Sequence, residues 1–437
     1  MPIYLNTTSP CRHSHTGVPQ GSCISPALFN FFTSTYPASP HTTTTSYADD
    51  FTDFSSSPDV LTATDALSAH AARVVEWADE RGLTISLPKS SVTLFTSHTH
   101  QYNTHPDISL TNGSLPLSQT PRILGVIFDP MLTFTPHISS IIARSTPRLN
   151  ILSALAGTSW GASKETLLIT YKSLIRSLFT YCAPIWFPNA SVSPSSDSTS
   201  FNPPTSIKRL QTLQNRALRT AIGCVKMTGV DHLHAETQSL RVYDHLSLLS
   251  SQFLARTLVP SHPSHPITTA SSGPRTIRQT LQSRFLPNLT PYLTRGTVPP
   301  DHYKHIIQSL HTTAVTSAIA ARAPNRVLNT PPPPISDEET SLPRRSRSVL
   351  SQLRSGFCSA LNSYLELVGR APSNLCPSCH TAPHTTAHLF SCPAHPTPLR
   401  VEDLWDQPCA VVEYLSTVPV FSDLLPTPRP PELRPQS

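Results

Sequence analysis

Asp49 and Asp50 stand side by side in the run Tyr47-Ala48-Asp49-Asp50. Residues 42–47 are Thr-rich and β-prone, and residues 51–54 read as a return strand. A hairpin over this stretch carries both carboxylates at its tip. Two carboxylates that close repel each other unless a cation neutralises them. A pair of hard oxygen ligands suits Mg2+, and it is half of a two-metal phosphoryl-transfer site. Taken alone, such a pair is more often a solvated acidic turn. A second constellation lies near the C-terminus, where Cys376-Pro377-Ser378-Cys379, His388 and Cys392 have the spacing C-x2-C-x8-H-x3-C. Two thiolates on one knuckle and a His–Cys pair on the following turn can close a tetrahedral Zn2+ site. His380, His384 and His395 are near in sequence and complicate the ligand choice. The alternative is a loop of unliganded cysteines.

The elements that must position these residues are of mixed type. Ser25 and Pro26 read as the cap and first residue of a helix running to residue 32. Val60, Thr64, Leu67, Ala71, Val74 and Ala78 recur at helical spacing, with Ser57 as cap, Pro58 in the first turn and Gly82 as stop. Residues 84–87, 91–96 and 123–128 read as strands. A helix on antiparallel strands is an α+β layer. Residues 137–185 and 206–256 read as helical, the second stretch interleaving Lys208, Arg209, Arg216 and Arg219 with its apolar positions. Residues 191–204, 260–274 and 324–343 read as linkers or loops, the last holding the extended, unpacked run Pro331-Pro332-Pro333-Pro334.

Five blocks occur in one order: Gly17-Val18-Pro19-Gln20-Gly21-Ser22, Ser25-Pro26-Ala27-Leu28-Phe29-Asn30, Tyr47-Ala48-Asp49-Asp50, Gly82-Leu83-Thr84-Ile85-Ser86-Leu87-Pro88-Lys89 and Leu124-Gly125-Val126-Ile127-Phe128-Asp129. The series resembles the reverse transcriptase of non-LTR retrotransposons of the jockey-like sort. The resemblance implies a partial polymerase palm over residues 1–136, an antiparallel sheet with packed helices. It implies a mainly helical, thumb-like region over 137–260. A Pro-rich linker with some helix follows at 261–343, then a basic helix and zinc-knuckle-like module at 344–425 and a disordered tail at 426–437. In site terms, Asp49 is implied as the main Mg2+ ligand and Asp50 as its helper, with Lys89 near the leaving pyrophosphate. Pro19, Gln20 and Gly21 would touch template and incoming nucleotide, and Tyr47 and Ala48 the primer end. The implied partners are an RNA template, a DNA primer and deoxynucleoside triphosphates. The family also uses a third carboxylate ahead of the Gly-Val-Pro-Gln-Gly loop. This chain starts after that point, so a truncated enzyme with weak metal binding, inactive alone, is expected. The competing reading is a non-catalytic nucleic-acid-binding remnant acting through basic helices and a zinc module.

Composition bounds these readings. The 437 residues include 46 Pro and only 13% charged residues, so parts of the chain cannot hold long helices or central strands. Ten acidic residues against five basic ones precede position 140, a net −5, which leaves +11 for the remainder of a chain at +6. An acidic first block fits a metal-binding pole, and a basic remainder fits phosphate contact. The basic run Leu342-Pro343-Arg344-Arg345-Ser346-Arg347, continuing to Arg354, reads as a helix beside the zinc module that could grip nucleic acid. The metal would there replace a core too small to fold alone. Nine cysteines, an odd number scattered except near the C-terminus, argue against a secreted disulfide framework. The pattern shows neither a signal peptide nor a membrane span, so an intracellular chain, nuclear or cytoplasmic, is expected.

Overall fold

The computed structural model describes residues 3–4, 7–8, 17–19, 21–96, 98–101, 104–110, 113–157, 160–188, 205–269 and 281–425. Gln20, the Ser- and Pro-rich stretch 191–204 and the tail 426–437 lie outside the described residues. The chain divides into two compact units, Met1–Leu132 and Thr133–Ser437. The class is α+β: small antiparallel hairpins in the first unit, helices in the second.

In the first unit, β1 (Thr43–Tyr47) pairs antiparallel with β2 (Asp50–Phe54), in a register running from Thr43 opposite Phe54 to Tyr47 opposite Asp50. Helix α1 (Ser25–Thr33) begins at Ser25 itself. Its hydroxyl does not cap the helix but donates to the Pro19 carbonyl at 2.6 Å, tying the preceding loop to the first turn. Helix α2 (Val60–Glu80) is capped by Asp59, whose carboxylate accepts from the Thr62 amide at 2.9 Å. Ser57 serves one step earlier, accepting from the Asp59 amide at 3.2 Å. The charged cap prevails because the helix N-terminus carries partial positive charge. Gly82, at φ +67°, turns the chain out of the helix. Trp77 and His70 are buried on α2, and Tyr36 packs between that helix and the hairpin, stacked on Phe51 at 4.4 Å and edge-on to Trp77 at 5.3 Å.

The other expected strands fare differently. Residues 84–87 form no strand; Pro88 lacks an amide for a ladder, and Leu87–Lys89 is a 3-10 turn. Residues 91–96 contribute one bridge, Val92 with Leu117. The expected strand 123–128 is instead a tight hairpin, Arg122–Ile123 against Val126–Ile127. Leu124 and Gly125 both lie at positive φ, 45° and 83°, as a two-residue hairpin loop demands. Among the described residues every sheet is two-stranded, and α1 leaves Ile24, Leu28, Phe31 and Phe32 exposed.

The second unit is helical: α3 (Thr135–Ala154), α4 (Lys164–Tyr171), α5 (Thr205–Ile222), α6 (Val230–Glu236), α7 (Val242–Thr257), α8 (Tyr303–Ala320), α9 (Arg344–Arg354) and α10 (Pro408–Thr417). Leu149 and Leu152 of α3, Leu167 of α4, Leu210 and Leu218 of α5 and Leu246 of α7 are fully buried. Val349, Leu350, Leu353, Leu361, Leu389, Leu404, Trp405, Leu415 and Phe421 share another cluster.

Helix α9 departs from its expected role. The sequence reads as an exposed basic helix, yet Ser346 to Arg354 are all buried. The guanidinium of Arg344 caps the end of α5, donating to the Ala221 and Thr220 carbonyls at 2.9 and 3.0 Å and to Gly157 at 3.0 Å. Carbonyls at a helix end have no intrahelical partner, so a cation there is well placed. Arg354, 0% exposed, donates to Glu236 at 2.9 Å, to Glu339 and to the Leu404 carbonyl. Lys164 stands 3.2 Å from Glu236, and Arg347 pairs with Glu165. The stretch 324–343, read as an unpacked linker, is packed as well. Glu339 and Asn325 are buried, and Leu328, Ile335 and Leu342 lie against the core of α9. The segments expected as separate 137–260 and 344–425 modules therefore fall in one compact unit.

Removing one member of a buried ion network leaves an uncompensated charge, which costs about 3–5 kcal/mol. Arg354→Ala should destabilise this unit by that order, read as a lower urea midpoint. Burial raises the Glu236 pKa, but Lys164 and Arg354 outweigh burial and hold it at about 2, below the ordinary 4.5. A depressed carboxylate contributes stability that is present above 4.5 and lost as pH falls toward 2. Acid unfolding of the wild type should steepen in that window, and Glu236→Gln should flatten it.

Candidate metal centres

The hairpin puts the two carboxylates where the sequence reading expects them. Tyr47 and Asp50 are the last paired residues, so Ala48 and Asp49 form a two-residue loop. Such loops need a residue at positive φ, and Ala48 takes it at 52°, a region that costs a non-glycine residue about 1–2 kcal/mol. Asp49, Asp50 and Ala48 are exposed, and Tyr47 is 68% exposed. Of the other expected residues, Gly21 is exposed at φ +85°, and the Pro19 carbonyl is held by Ser25. Lys89 is exposed at the end of its 3-10 turn. Among the described residues no ion pair joins Lys89 to Asp49 or Asp50, and no third acidic, His or Cys ligand converges on the pair.

The Cys/His group does converge. One ligand atom from each of Cys376, Cys379, His388 and Cys392 lies within 4.8 Å of all the others. The sulfurs of Cys376 and Cys392 are 3.9 Å apart, and the Cys379 sulfur is 3.3 Å from His388 Nε2. Metal–thiolate bonds of about 2.3 Å imply tetrahedral edges of about 3.8 Å, so three thiols and an imidazole so placed could hold a metal ion. Local backbone bonds build the knuckle. The Cys376 amide donates to Ala382 and the His380 amide to Cys376, both at 2.9 Å, while Leu375 bridges Pro383. Thr385 caps the short helix Thr386–Leu389, which presents His388. The Thr381 hydroxyl, then its amide, pull the Cys379 thiol down to about 6, toward the ligating thiolate. Burial pushes Cys392 up.

His384 is not a ligand here. It is 1% exposed, and its Nδ1 accepts from the Asn362 amide at 3.2 Å. Burial, then His388, pull its pKa down to about 4, so the ring is neutral. His395 meets the Ser378 hydroxyl at 3.0 Å. The knuckle also has a core beneath it: Leu389 belongs to the α9–α10 cluster, and the Tyr414 hydroxyl donates to the Leu389 carbonyl at 2.6 Å. The expectation that the metal substitutes for a missing core is thus corrected.

Sequence reasoning passed over one set of residues under the hairpin. Asp53 of β2 accepts from the Tyr36 hydroxyl at 2.7 Å and the Thr44 hydroxyl at 2.5 Å, and lies 3.2 Å from His70 Nε2. The available signal was an acidic residue on the same strand face as Phe51, the face that packs inward.

Comparison with known proteins agrees with the hairpin geometry. Residues 4–128 match the family Reverse transcriptase (RNA-dependent DNA polymerase). This is the class to which the hairpin-bearing segment is related, and the similarity continues beyond it along the chain. The probable RNA-directed DNA polymerase from transposon BS of Drosophila melanogaster is 28% identical over 277 residues, covering 59% of this chain and 29% of that protein. The RNA-directed DNA polymerase from mobile element jockey of Drosophila funebris is 26% identical over 271 residues, 59% of this chain and 27% of that protein. A probable polymerase from transposon X-element of Drosophila melanogaster is 26% identical over 242 residues. The chain thus resembles jockey-like reverse transcriptases of non-LTR retrotransposons, and its matches span less than a third of the length of these curated relatives. No solved structure matches it. Among the described residues no helix is long and apolar enough to cross a membrane.

The knuckle generates a separable expectation. Cys376→Ser should lose the bound metal, since a hydroxyl is a poor replacement for a thiolate ligand. His384→Ala should keep one metal per chain yet unfold at lower temperature, because it removes a buried ring and strands the Asn362 amide. Elemental analysis and thermal melts of the two variants separate ligation from packing.

Proposed function

We propose that this chain is part of an RNA-directed DNA polymerase of a non-LTR retrotransposon, a partial palm over residues 1–136 followed by a helical thumb-like region. The observation that carries this reading is the solvent-exposed Tyr47-Ala48-Asp49-Asp50 hairpin tip inside a segment matching the reverse transcriptase family. Asp49 and Asp50 would hold Mg2+, which would there supply activation of the primer 3′-hydroxyl and support of the triphosphate. Tyr47 and Ala48 meet the primer end. Pro19, Gln20 and Gly21 contact template and incoming deoxynucleoside triphosphate. Lys89 offsets charge on the leaving pyrophosphate. RNA template and DNA primer lie along exposed cations of α5, Lys208, Arg209 and Arg216. Arg219 is not among them, because its guanidinium donates inward to the Thr228 carbonyl at 3.0 Å. Cys376, Cys379, His388 and Cys392 would hold Zn2+, and a site made of four protein ligands would serve structure and not catalysis. The described cysteines are free thiols, which suits an intracellular protein.

Burial of α9 disfavours the competing remnant reading, in which that helix grips nucleic acid. A hairpin with two carboxylates, on which no third ligand converges among the described residues, should bind Mg2+ weakly. The chain alone is accordingly expected to give no primer extension on an RNA template; extension that survives Asp49→Asn would remove the Asp pair from the mechanism. For the nucleic-acid surface, a Lys208→Ala, Arg209→Ala, Arg216→Ala triple variant should weaken binding to an RNA–DNA duplex at all sequences. It should also reduce the slope of log affinity against log salt by about 1 per cation removed. An unchanged slope places the duplex elsewhere.

A further inference from the structure

Asp50 and Asp53 are three positions apart on β2, and strand alternation sends them to opposite faces. Asp50 is exposed beside the turn. Asp53 points the other way, toward Tyr36 and α2. One of its oxygens accepts from Tyr36 at 2.7 Å, the other from Thr44 of β1 at 2.5 Å. His70 Nε2 of α2 is 3.2 Å from the second oxygen. His70 is 1% exposed, and neither of its ring nitrogens has a well-aligned hydrogen-bond partner. One carboxylate therefore ties β1 through Thr44 to the segment leaving α1 through Tyr36, and faces α2 at His70, 3.2 Å away. Tyr36 reinforces the junction by stacking on Phe51, the neighbouring inward residue of β2. Burial, then the Asp53 hydrogen bond, push the Tyr36 phenol up, so it stays protonated and donates.

Resting on the reading of Asp49 and Asp50 as metal ligands, we infer that Asp53 is a positioning residue for them: clasped by Tyr36, Thr44 and His70, it fixes the hairpin on α2 so that its tip is presented in one orientation. The hairpin needs such a clasp. It is a two-stranded ribbon, which is marginal by itself, and it ends in a turn strained at Ala48. Without an anchor, the two tip carboxylates would have to be ordered at the moment a cation binds.

The test uses the full chain loaded with Zn2+, comparing wild type, Asp53→Ala, Asp53→Asn, Tyr36→Phe and Asp49→Asn. Amide hydrogen exchange over residues 43–54 reads the clasp directly, and Mn2+ titration followed by electron paramagnetic resonance reads the tip. Loss of the clasp in Asp53→Ala should speed hairpin exchange by about tenfold or more, since bonds to a charged group are lost. Exchange in α10 should stay as in wild type, and Mn2+ affinity should fall. Tyr36→Phe should move both readouts in the same direction by less. Asp53→Asn, which keeps the shape and can still bond Tyr36 and Thr44, should restore most of the protection. If Asp53→Ala fails to fold, Tyr36→Phe and Asp53→Asn carry the comparison. Hairpin exchange at the wild-type rate in Asp53→Ala or, failing that variant, in Tyr36→Phe overturns the clasp. A lower melting temperature with unchanged Mn2+ affinity of the folded protein overturns the positioning role. Mn2+ binding that is unaltered in Asp49→Asn sinks the metal reading instead, and the exchange data then decide the clasp independently.

Discussion

Arg354 has no contact with solvent, and its guanidinium is shared between two buried carboxylates and a backbone carbonyl. Several elements of the helical unit converge on that charge. Glu236 comes from α6, Glu339 from the 3-10 turn ahead of α9, and Lys164 reaches both from the start of α4. Arg347 adds the link to Glu165. Glu236 and Glu339 are buried while Glu165 is half exposed at the edge, and pairing each interior charge with an opposite one is what makes it tolerable in a low-dielectric interior. The arrangement specifies as well as stabilises: helices that slid past one another would leave a charge without a partner. It also explains why a Pro-rich connector is packed, since Glu339 must be delivered to Arg354 from within it.

The hairpin of the other unit obeys a different constraint. A two-residue loop dictates which residues are paired and which are free, and here it leaves Asp49 in the loop and Asp50 at the first pair. Period-two alternation then divides the strand's acidic residues by role. Asp50 faces solvent, and Asp53 faces the helix that carries His70 and Trp77. Carboxylates of one strand so acquire opposite environments with no change of residue type.

The Cys/His knuckle is held in place twice over. Its ligand atoms converge through local turns, each closed within a few residues, and its helix is seated on the apolar cluster that α9 and α10 share. A metal at that point would fasten the loop 374–395 above the apolar cluster on which Leu389 is seated. The histidines show how a shared residue type is sorted by surroundings. His388 sits at the ligand cluster, whereas His384 is buried a few residues away with its ring committed to the Asn362 amide.

Local patterns were sufficient for the elements whose determinants lie within a few residues. The Asp pair at a hairpin tip, the helix over 60–80, the C-x2-C-x8-H-x3-C group and the largely helical character of the described residues within 137–185 and 206–256 all follow from short-range spacing. Short-range reading failed at residues 123–128, where Leu124 adopts a left-handed conformation that its type does not announce. It failed more deeply at α9. Arg344, Arg347 and Arg354 look like a solvated basic face, because their partners are remote: Glu236 is 118 residues from Arg354, and Glu165 is 182 from Arg347. Asp53 was missed for the same reason, its meaning depending on Tyr36 and His70, each 17 residues away along the chain. The sequence by itself determined which groups can do chemistry and at what local spacing. Tertiary structure alone decided which charges face water and which face each other, because desolvation depends on what the rest of the chain packs against a residue.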